Sequence, residues 1–260
     1  MRIVEKVARR ALHAAAEIDL DMPPPVYGQE FHRWLRHTTG VPDPYRAAKD
    51  RFNMMALAML PDLAAEIERA PDPFTLAVRL AIAGNLIDMG VNGDIPEGLV
   101  RQSLENALSE AFRGDIEELR QEIARADSIL YLADNAGEIV FDRLLIQQLP
   151  LDRVTLVVRG GPVINDATLI DARVAGLHDI VNVTDNGSDA PGTILPDCSH
   201  DFRERFARAD LVIAKGQGNF ETLSETVGNM FFLFKVKCSV VSGQVDLPIG
   251  TQAMIHTRKV

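Results

Sequence analysis

Cysteine is nearly absent from this 260-residue chain, where only Cys198 and Cys238 occur. Two cysteines are too few for a disulfide scaffold and are usual in a reduced compartment. Histidine is sparse as well. The six residues at positions 13, 32, 37, 178, 200 and 256 show no HxxxH or HExxH spacing, which removes the zinc-hydrolase classes. No apolar run approaches the roughly 18 residues of a membrane span, and patches such as MMALAML at 54–60 read as buried helix. Basic residues are outnumbered 27 to 37, and the formal charge of -10 repels nucleic acid and anionic membranes over most of the surface. A local basic pocket for a small anion is compatible with that background. Internal repeats and low-complexity tracts are missing too. Glu5, set among Ile3, Val4, Val7, Ala11 and Leu12 at helical spacing, leaves no signal-peptide core, so a cytoplasmic location is expected.

What is present is an ordinary globular composition, 47% hydrophobic and 25% charged, with enough length to bury a substantial core. Up to about residue 120 the apolar positions recur at helical spacing. Breaks are expected at Pro23, Pro24 and Pro25, at Pro42 and Pro44, at Pro61, and at Pro71 and Pro73. Residues 1–120 are therefore read as an all-helical domain. From residue 128 the pattern changes to short runs rich in Val, Ile and Leu: SILYLA, VTLVVR at 154–159, IVNV at 180–183 and LVIA at 211–214. Continuous apolar runs are what strands buried on both faces require. CSVV at 238–241 and MIHT at 254–257 are read as further strands. Residues 121–260 thus form an α/β domain with a mostly parallel, doubly wound sheet, joined to the first by a charged helix over 113–128. The two halves are expected to pack tightly, with a cleft between them.

In a parallel sheet the strand ends lie along one edge, and four of them here carry unusual residues. The first is Asp134-Asn135, followed by Gly137, Glu138 and Asp142. The second is RGGPVINDAT at 159–168, with Asp166. The third is DNGSDAPGT at 185–193, and the fourth is KGQGNFETL at 215–223. A carboxylate left unpaired beside four apolar strand residues costs several kcal/mol, on the order of a buried charge without a partner. Asp134 therefore needs a cation, a donor or a helix N-terminus, and its bland role is a helix N-cap. With Asn135 and Asp166, three oxygen donors at one sheet edge suit magnesium or manganese better than zinc.

Lys215 to Asn219, KGQGN, has the makings of a phosphate cradle, because glycines let backbone N–H groups face an anion ahead of a helix. It is neither GxxxxGK[ST] nor GxGxxG, and a plain strand-to-helix turn reads equally well. Lys215 directly after a buried strand needs an anionic partner. Lys235 and Lys237 alternate along FFLFKVKC, so Lys237 either closes an anion site or guards an edge strand. Asn85 and Asp88 share one helix face in AGNLIDMG, lining the cleft or serving a structural network. The run Cys198-Ser199-His200-Asp201 reads as a helix start rather than a nucleophile set.

Taken together, LADNAGEIVFD, GGPVINDAT, DNGSDAPGT, ARADLVIAKGQGNFETL and FKVKC, with DPY and AGNLIDMG upstream, resemble the damage-control phosphatase family. That family is also called domain of unknown function 89, and the shorter prokaryotic branch is the nearest fit. The resemblance runs from about Glu17 to the C-terminus. It implies a helical domain over a Rossmann-like α/β domain and a metal-dependent phosphatase acting on small phosphorylated metabolites. By matching motif, Asp134, Asn135 and Asp166 are the expected metal ligands, with manganese, magnesium, cobalt or nickel as the ion. Lys215, Gly216, Gln217, Gly218 and Asn219 are expected to hold the substrate phosphate, and Lys237 to complete the anion site. Glu138 takes the place of a further acidic residue near the substrate, so Asp134, Asp166 and Glu138 form the catalytic set.

Branch members usually begin with a Cys-x-x-Cys segment that MRIVEKVARR lacks. None of the residues assigned above lies there. The expected chemistry is attack of water on a metal-bound phosphate ester, or an aspartyl-phosphate on Asp134. Rival readings are an S-adenosylmethionine-dependent carboxyl methyltransferase and a non-catalytic phosphometabolite-binding protein. Against the first, the opening strand ends in Asp-Asn rather than a glycine-rich turn. The sequence is silent on oligomeric state and on which metabolite is bound.

Overall fold

The computed structural model describes residues 3–19, 22–84 and 109–259. Asn85 and Asp88 lie outside the described residues. Four helices come first: α1 (Ile3–Ala16), α2 (Pro24–Thr39), α3 (Arg46–Arg69) and α4 (Pro73–Ala83). Proline starts two of them. Pro24 and Pro73 occupy first-turn positions that need no N–H donor, and the Asp72 side chain caps α4 through the Thr75 amide. Pro61 does not break the chain as expected, for α3 runs through it. An interior proline costs about 3 kcal/mol. Against it, α3 buries Phe52, Ala56, Met59, Leu63 and Ile67 along one face, each large apolar side chain worth roughly 1.5–3 kcal/mol.

Among the described residues, the strands and α-helices that follow are β1 (Phe112–Arg113), α5 (Ile116–Arg125), β2 (Ile129–Leu132), α6 (Glu138–Ile146), β3 (Val154–Val158), α7 (Leu169–Val174), β4 (Asn182–Asp185), α8 (His200–Arg208), β5 (Leu211–Lys215), α9 (Gln217–Leu223), β6 (Gly228–Lys235), α10 (Ser239–Val245) and β7 (Gln252–Lys259). Strand order is β1-β7-β6-β5-β2-β3-β4. All neighbours are parallel except β6 and β7. The chain leaves β2 for β3 and β4 on one side, then returns to β5 on the other, so the crevice of a doubly wound sheet opens beyond β2.

Three expectations are corrected. A short strand, β1, already occurs within the stretch read as all-helical, because Phe112 and Arg113 pair with Gln252 and Ala253 of β7. CSVV is the start of α10, with Cys238 Sγ accepting from the Val241 amide. The local capping bond there outweighs the β preference of two valines. IVNV lies two residues early, since β4 is an outer strand whose residues are only partly covered, and the rule for strands buried on both faces does not hold at an edge.

Period-2 alternation divides the sheet between two cores. Ile129, Tyr131, Leu211, Ile213, Phe231 and Leu233 face a cluster shared with α3, α4, α5 and α6. Leu130, Leu132, Val212, Ala214, Phe232 and Phe234 face α8, α9 and α10. Phe52, Met59 and Val78 belong to the same buried cluster as Ile139 and Phe141. The helical half therefore continues the core of one sheet face, and α6 lies against both α3 and α4.

Candidate active site

Two loops are zipped together at the carboxyl ends of β2 and β3. The Ala167 amide donates to Asp134 O (2.7 Å), the Ala136 amide to Asn165 O (2.8 Å), and the Arg159 amide to Ala167 O (2.9 Å). An isolated antiparallel bridge pairs Asn135 with Asp166. Ile164, inside the second loop, adopts a positive φ of 42°, a strained conformation for a β-branched residue of the kind found near functional sites. The zip brings Asp134, Asn135 and Asp166 together.

Asp134 does not cap the following helix, because the N-cap of α6 is Gly137 (φ 79°). The Gly137 amide is held instead by Asn53 Oδ1 of α3 (2.7 Å). Asn135 Nδ2 donates to Asp134 Oδ2 (2.8 Å) and to Glu138 Oε2 (3.1 Å). Burial, then the neighbouring carboxylates of Glu138 and Asp166, push the Asp134 carboxyl well above the ordinary carboxylate range, while Arg159 and Lys237 pull it back.

Lys215 is fully buried, and its Nζ donates to Glu138 Oε1 (2.8 Å), Asp142 Oδ1 and Ala81 O (2.8 Å). Burial works against the ammonium, but Asp142 and Glu138 raise it above the usual lysine value. Its anionic partners are thus the chain's own carboxylates, and all three of its N–H donors face protein acceptors. Asp142 also accepts from Tyr131 Oη (2.8 Å), and burial pushes its carboxyl up to about 6 despite Lys215.

Gly216 has φ 79°, and a Cβ there would lie 1.9 Å from Asp134 Oδ2. Only glycine lets this turn close over the carboxylate. Gln217 Oε1 accepts from the Lys237 amide (3.1 Å). Gly218 packs against Pro191, where a Cβ would meet Pro191 O at 2.4 Å. Asn219 faces inward: its Nδ2 donates to Lys215 O (2.7 Å), and its Oδ1 accepts from Thr193 Oγ1 (2.8 Å) and Arg159 Nη1 (3.2 Å). Lys237 lies exposed just past the end of β6. Its charge is among those that lower the Asp134 carboxyl.

Cys198 is buried with its thiol pushed up to about 12, chiefly by burial, and Ser199 caps α8 through the Phe202 amide. The helix-start reading of that run is thereby borne out. Arg159 was missed. It follows the apolar run VTLVV as Lys215 follows LVIA, so the same signal marks both: a cation at a buried strand end. Arg159 Nε donates to Asp166 Oδ2 (2.7 Å), and its Nη2 lies 3.7 Å from Asp134 Oδ1.

No three His, Cys, Asp or Glu side chains among the described residues form a metal-binding group. The donors at the zip are two carboxylates and one amide. In kind they fit a hard divalent cation: all offer oxygen, and crowded carboxylates in a buried place gain from a positive ion. Asn135 now turns Nδ2 toward the carboxylates, and rotation about χ2 presents Oδ1 to the same point.

An acidic, oxygen-rich cluster at the switch point of a parallel sheet, with a lysine just past the end of β6, suits a phosphate-ester hydrolase. The chain belongs to the damage-control phosphatase ARMT1-like domain family, which matches residues 2–252. Damage-control phosphatase PH1575 of Pyrococcus horikoshii is 36% identical over 261 residues, spanning 97% of this chain and 90% of that protein. A damage-control phosphatase of Archaeoglobus fulgidus is 36% identical over 225 residues, 85% of this chain and 78% of that one. The crystal structure of PH1575, a DUF89 family protein, superposes with a TM-score of 0.83 at 34% identity and covers 98% of this chain and 91% of the other. The enzyme class is thus phosphatase. Among the described residues no helix is long and apolar enough to cross a membrane.

Proposed function

We propose that this chain is a metal-dependent phosphomonoesterase that clears small phosphorylated metabolites in the cytoplasm, with helices α3 and α4 backing a site built by residues 121–260. The observation that carries the reading is the adjacency of Asp134, Asn135 and Asp166 on two bridged loops, with Gly216 closing over Asp134. Asp134, Asn135 and Asp166 would hold a divalent ion, which supplies charge neutralisation and Lewis acidity when bound.

The chain's own residues do the rest. Lys215 fixes Glu138, and Glu138 fixes the amide of Asn135 beside Asp134, so a buried charge aligns the centre without touching substrate. Glu138 is therefore a positioning acid, and Lys215 is withdrawn from direct phosphate binding. Lys237 and the first-turn amides of Gln217, Gly218 and Asn219, which have no intrahelical acceptors, face the phosphoryl oxygens. The net negative surface disfavours nucleic acid and leaves a small anion as partner.

The test is hydrolysis of a generic aryl phosphate with and without manganese, magnesium, cobalt or nickel. Turnover is expected only with metal, and Asp134→Ala is expected to lower kcat by about a thousandfold or more, as loss of a residue central to the chemistry does. Full activity in EDTA, or an Asp134→Ala variant within tenfold of the parent, sinks the reading.

A further inference from the structure

We propose that Arg159 is a positioning residue for the reaction centre, holding the carboxylates of Asp134 and Asp166 at one separation. The inference rests on the reading of those two acids as the centre. Arg159 stands at the end of β3 and is 2% exposed. One edge of its guanidinium is committed to Asp166 through Nε (2.7 Å). A second donor, Nη1, is shared between Thr193 Oγ1 and Asn219 Oδ1, both at 3.2 Å. Thr193 and Asn219 are bonded to each other, and Asn219 is anchored on Lys215 O. The plane of the group is thus set by the 159–168 loop, the 186–199 loop and α9 together. The remaining nitrogen, Nη2, is buried with no hydrogen-bond partner and lies 3.7 Å from Asp134 Oδ1.

An arginine placed only to fill space and pair with Asp166 has no reason to leave a buried, unspent donor 3.7 Å from a second acid on another loop. A planar fork with fixed angles sets the distance between two carboxylates, which a lysine point charge cannot do. Asp134 and Asp166 are offered by different loops, after β2 and after β3, so their spacing is a tertiary quantity. Arg159 contacts both.

The sign of a metal-binding measurement separates this role from charge alone. Removing a cation beside a divalent site strengthens metal binding if charge is all that matters, whereas losing the alignment of the ligands weakens it. Manganese titration of the full chain without substrate, on wild type, Arg159→Gln and Arg159→Lys, reads this directly. Expected is a Kd weakened about tenfold in Arg159→Gln at unchanged stoichiometry, with partial recovery in Arg159→Lys. A misfolded fraction lowers stoichiometry and leaves Kd alone, so it is told apart. Thr193→Val, which keeps the charge and the Asp166 bond, is expected to weaken Kd about threefold and lower aryl-phosphate kcat by a similar factor. Tighter manganese binding in Arg159→Gln, or wild-type Kd and kcat in Arg159→Lys, overturns the proposal. A wild-type chain that neither binds manganese nor hydrolyses any phosphate ester removes the parent reading and this one with it.

Discussion

Asp171 and Asp134 are both buried aspartates of the α/β half, close to where α3 meets the sheet domain, yet their surroundings are opposite. Asp171 accepts from Arg46 Nη2 (2.7 Å), Asn53 Nδ2 (2.9 Å) and the Thr168 amide (2.9 Å), and pairs with the fully buried Lys49 ammonium at 2.9 Å. Burial alone would raise it, but Lys49, Arg46 and the amide bring it down to about 2. Asp134 instead shares its space with Glu138 and Asp166 and is driven upward. Positive charge is in excess around the first acid and in deficit around the second. A compensated buried acid welds two regions together, while an undercompensated one stores repulsion that an outside cation relieves. The same helix serves both, since Asn53 holds Asp171 with Nδ2 and the Gly137 amide with Oδ1.

The largest effect should come from breaking the weld. Asp171→Asn leaves the buried Lys49 with only the more distant Asp43 carboxylate, at 3.7 Å, and the loss is expected at about 3 kcal/mol, measured by urea denaturation at neutral pH. A loss below about 1 kcal/mol would mean that Asp43 alone neutralises Lys49 and that the contrast is overdrawn.

A pH series sharpens the same point. The folded pKa of Asp171 is depressed from 3.8 to about 2, so its contribution is present above the unfolded value and lost as pH falls through the folded one. The difference in stability between wild type and Asp171→Asn should therefore shrink by about 2 kcal/mol between pH 5 and pH 2, most of the roughly 2.5 kcal/mol equivalent of that shift. A difference that stays flat over this range contradicts the assigned ionisation.

The smallest effect has the opposite sign. A folded pKa raised above the ordinary value means that the native state binds the proton more tightly, so stability falls as pH rises through that window. Asp134→Asn removes the cost and should stabilise the metal-free chain at neutral pH by about 1 kcal/mol, the scale of relieving a strained functional site, while activity is lost. A lower urea midpoint than wild type in EDTA would count against stored repulsion at this acid.

Much of the architecture was legible in the chain. SILYLA, VTLVVR and LVIA became β2, β3 and β5 because central strands covered on both faces demand unbroken apolar runs. The reading failed where that condition failed, at the outer strand β4 and at CSVV, and where packing overrode proline in α3. In the site, Asp134, Asn135 and Asp166 stood out as polar residues at apolar strand ends. Arg159 gave the same signal and was passed over, since it opens a loop read for its glycines and its aspartate. Lys215 was recognised as needing an anion, but whether that anion is substrate or protein depends on Glu138 and Asp142, one helical turn apart on α6.

The amino-acid order alone determined that a parallel sheet forms, that its carboxyl edge is rich in oxygen donors, and that a buried lysine must be neutralised there. Only the tertiary structure decided which charge answers which. Local spacing fixes the face a side chain takes, whereas the sign of the field at Asp134 or Asp171 is a sum over groups from segments far apart in sequence. In a low-dielectric interior a separation of a few ångströms decides that sum.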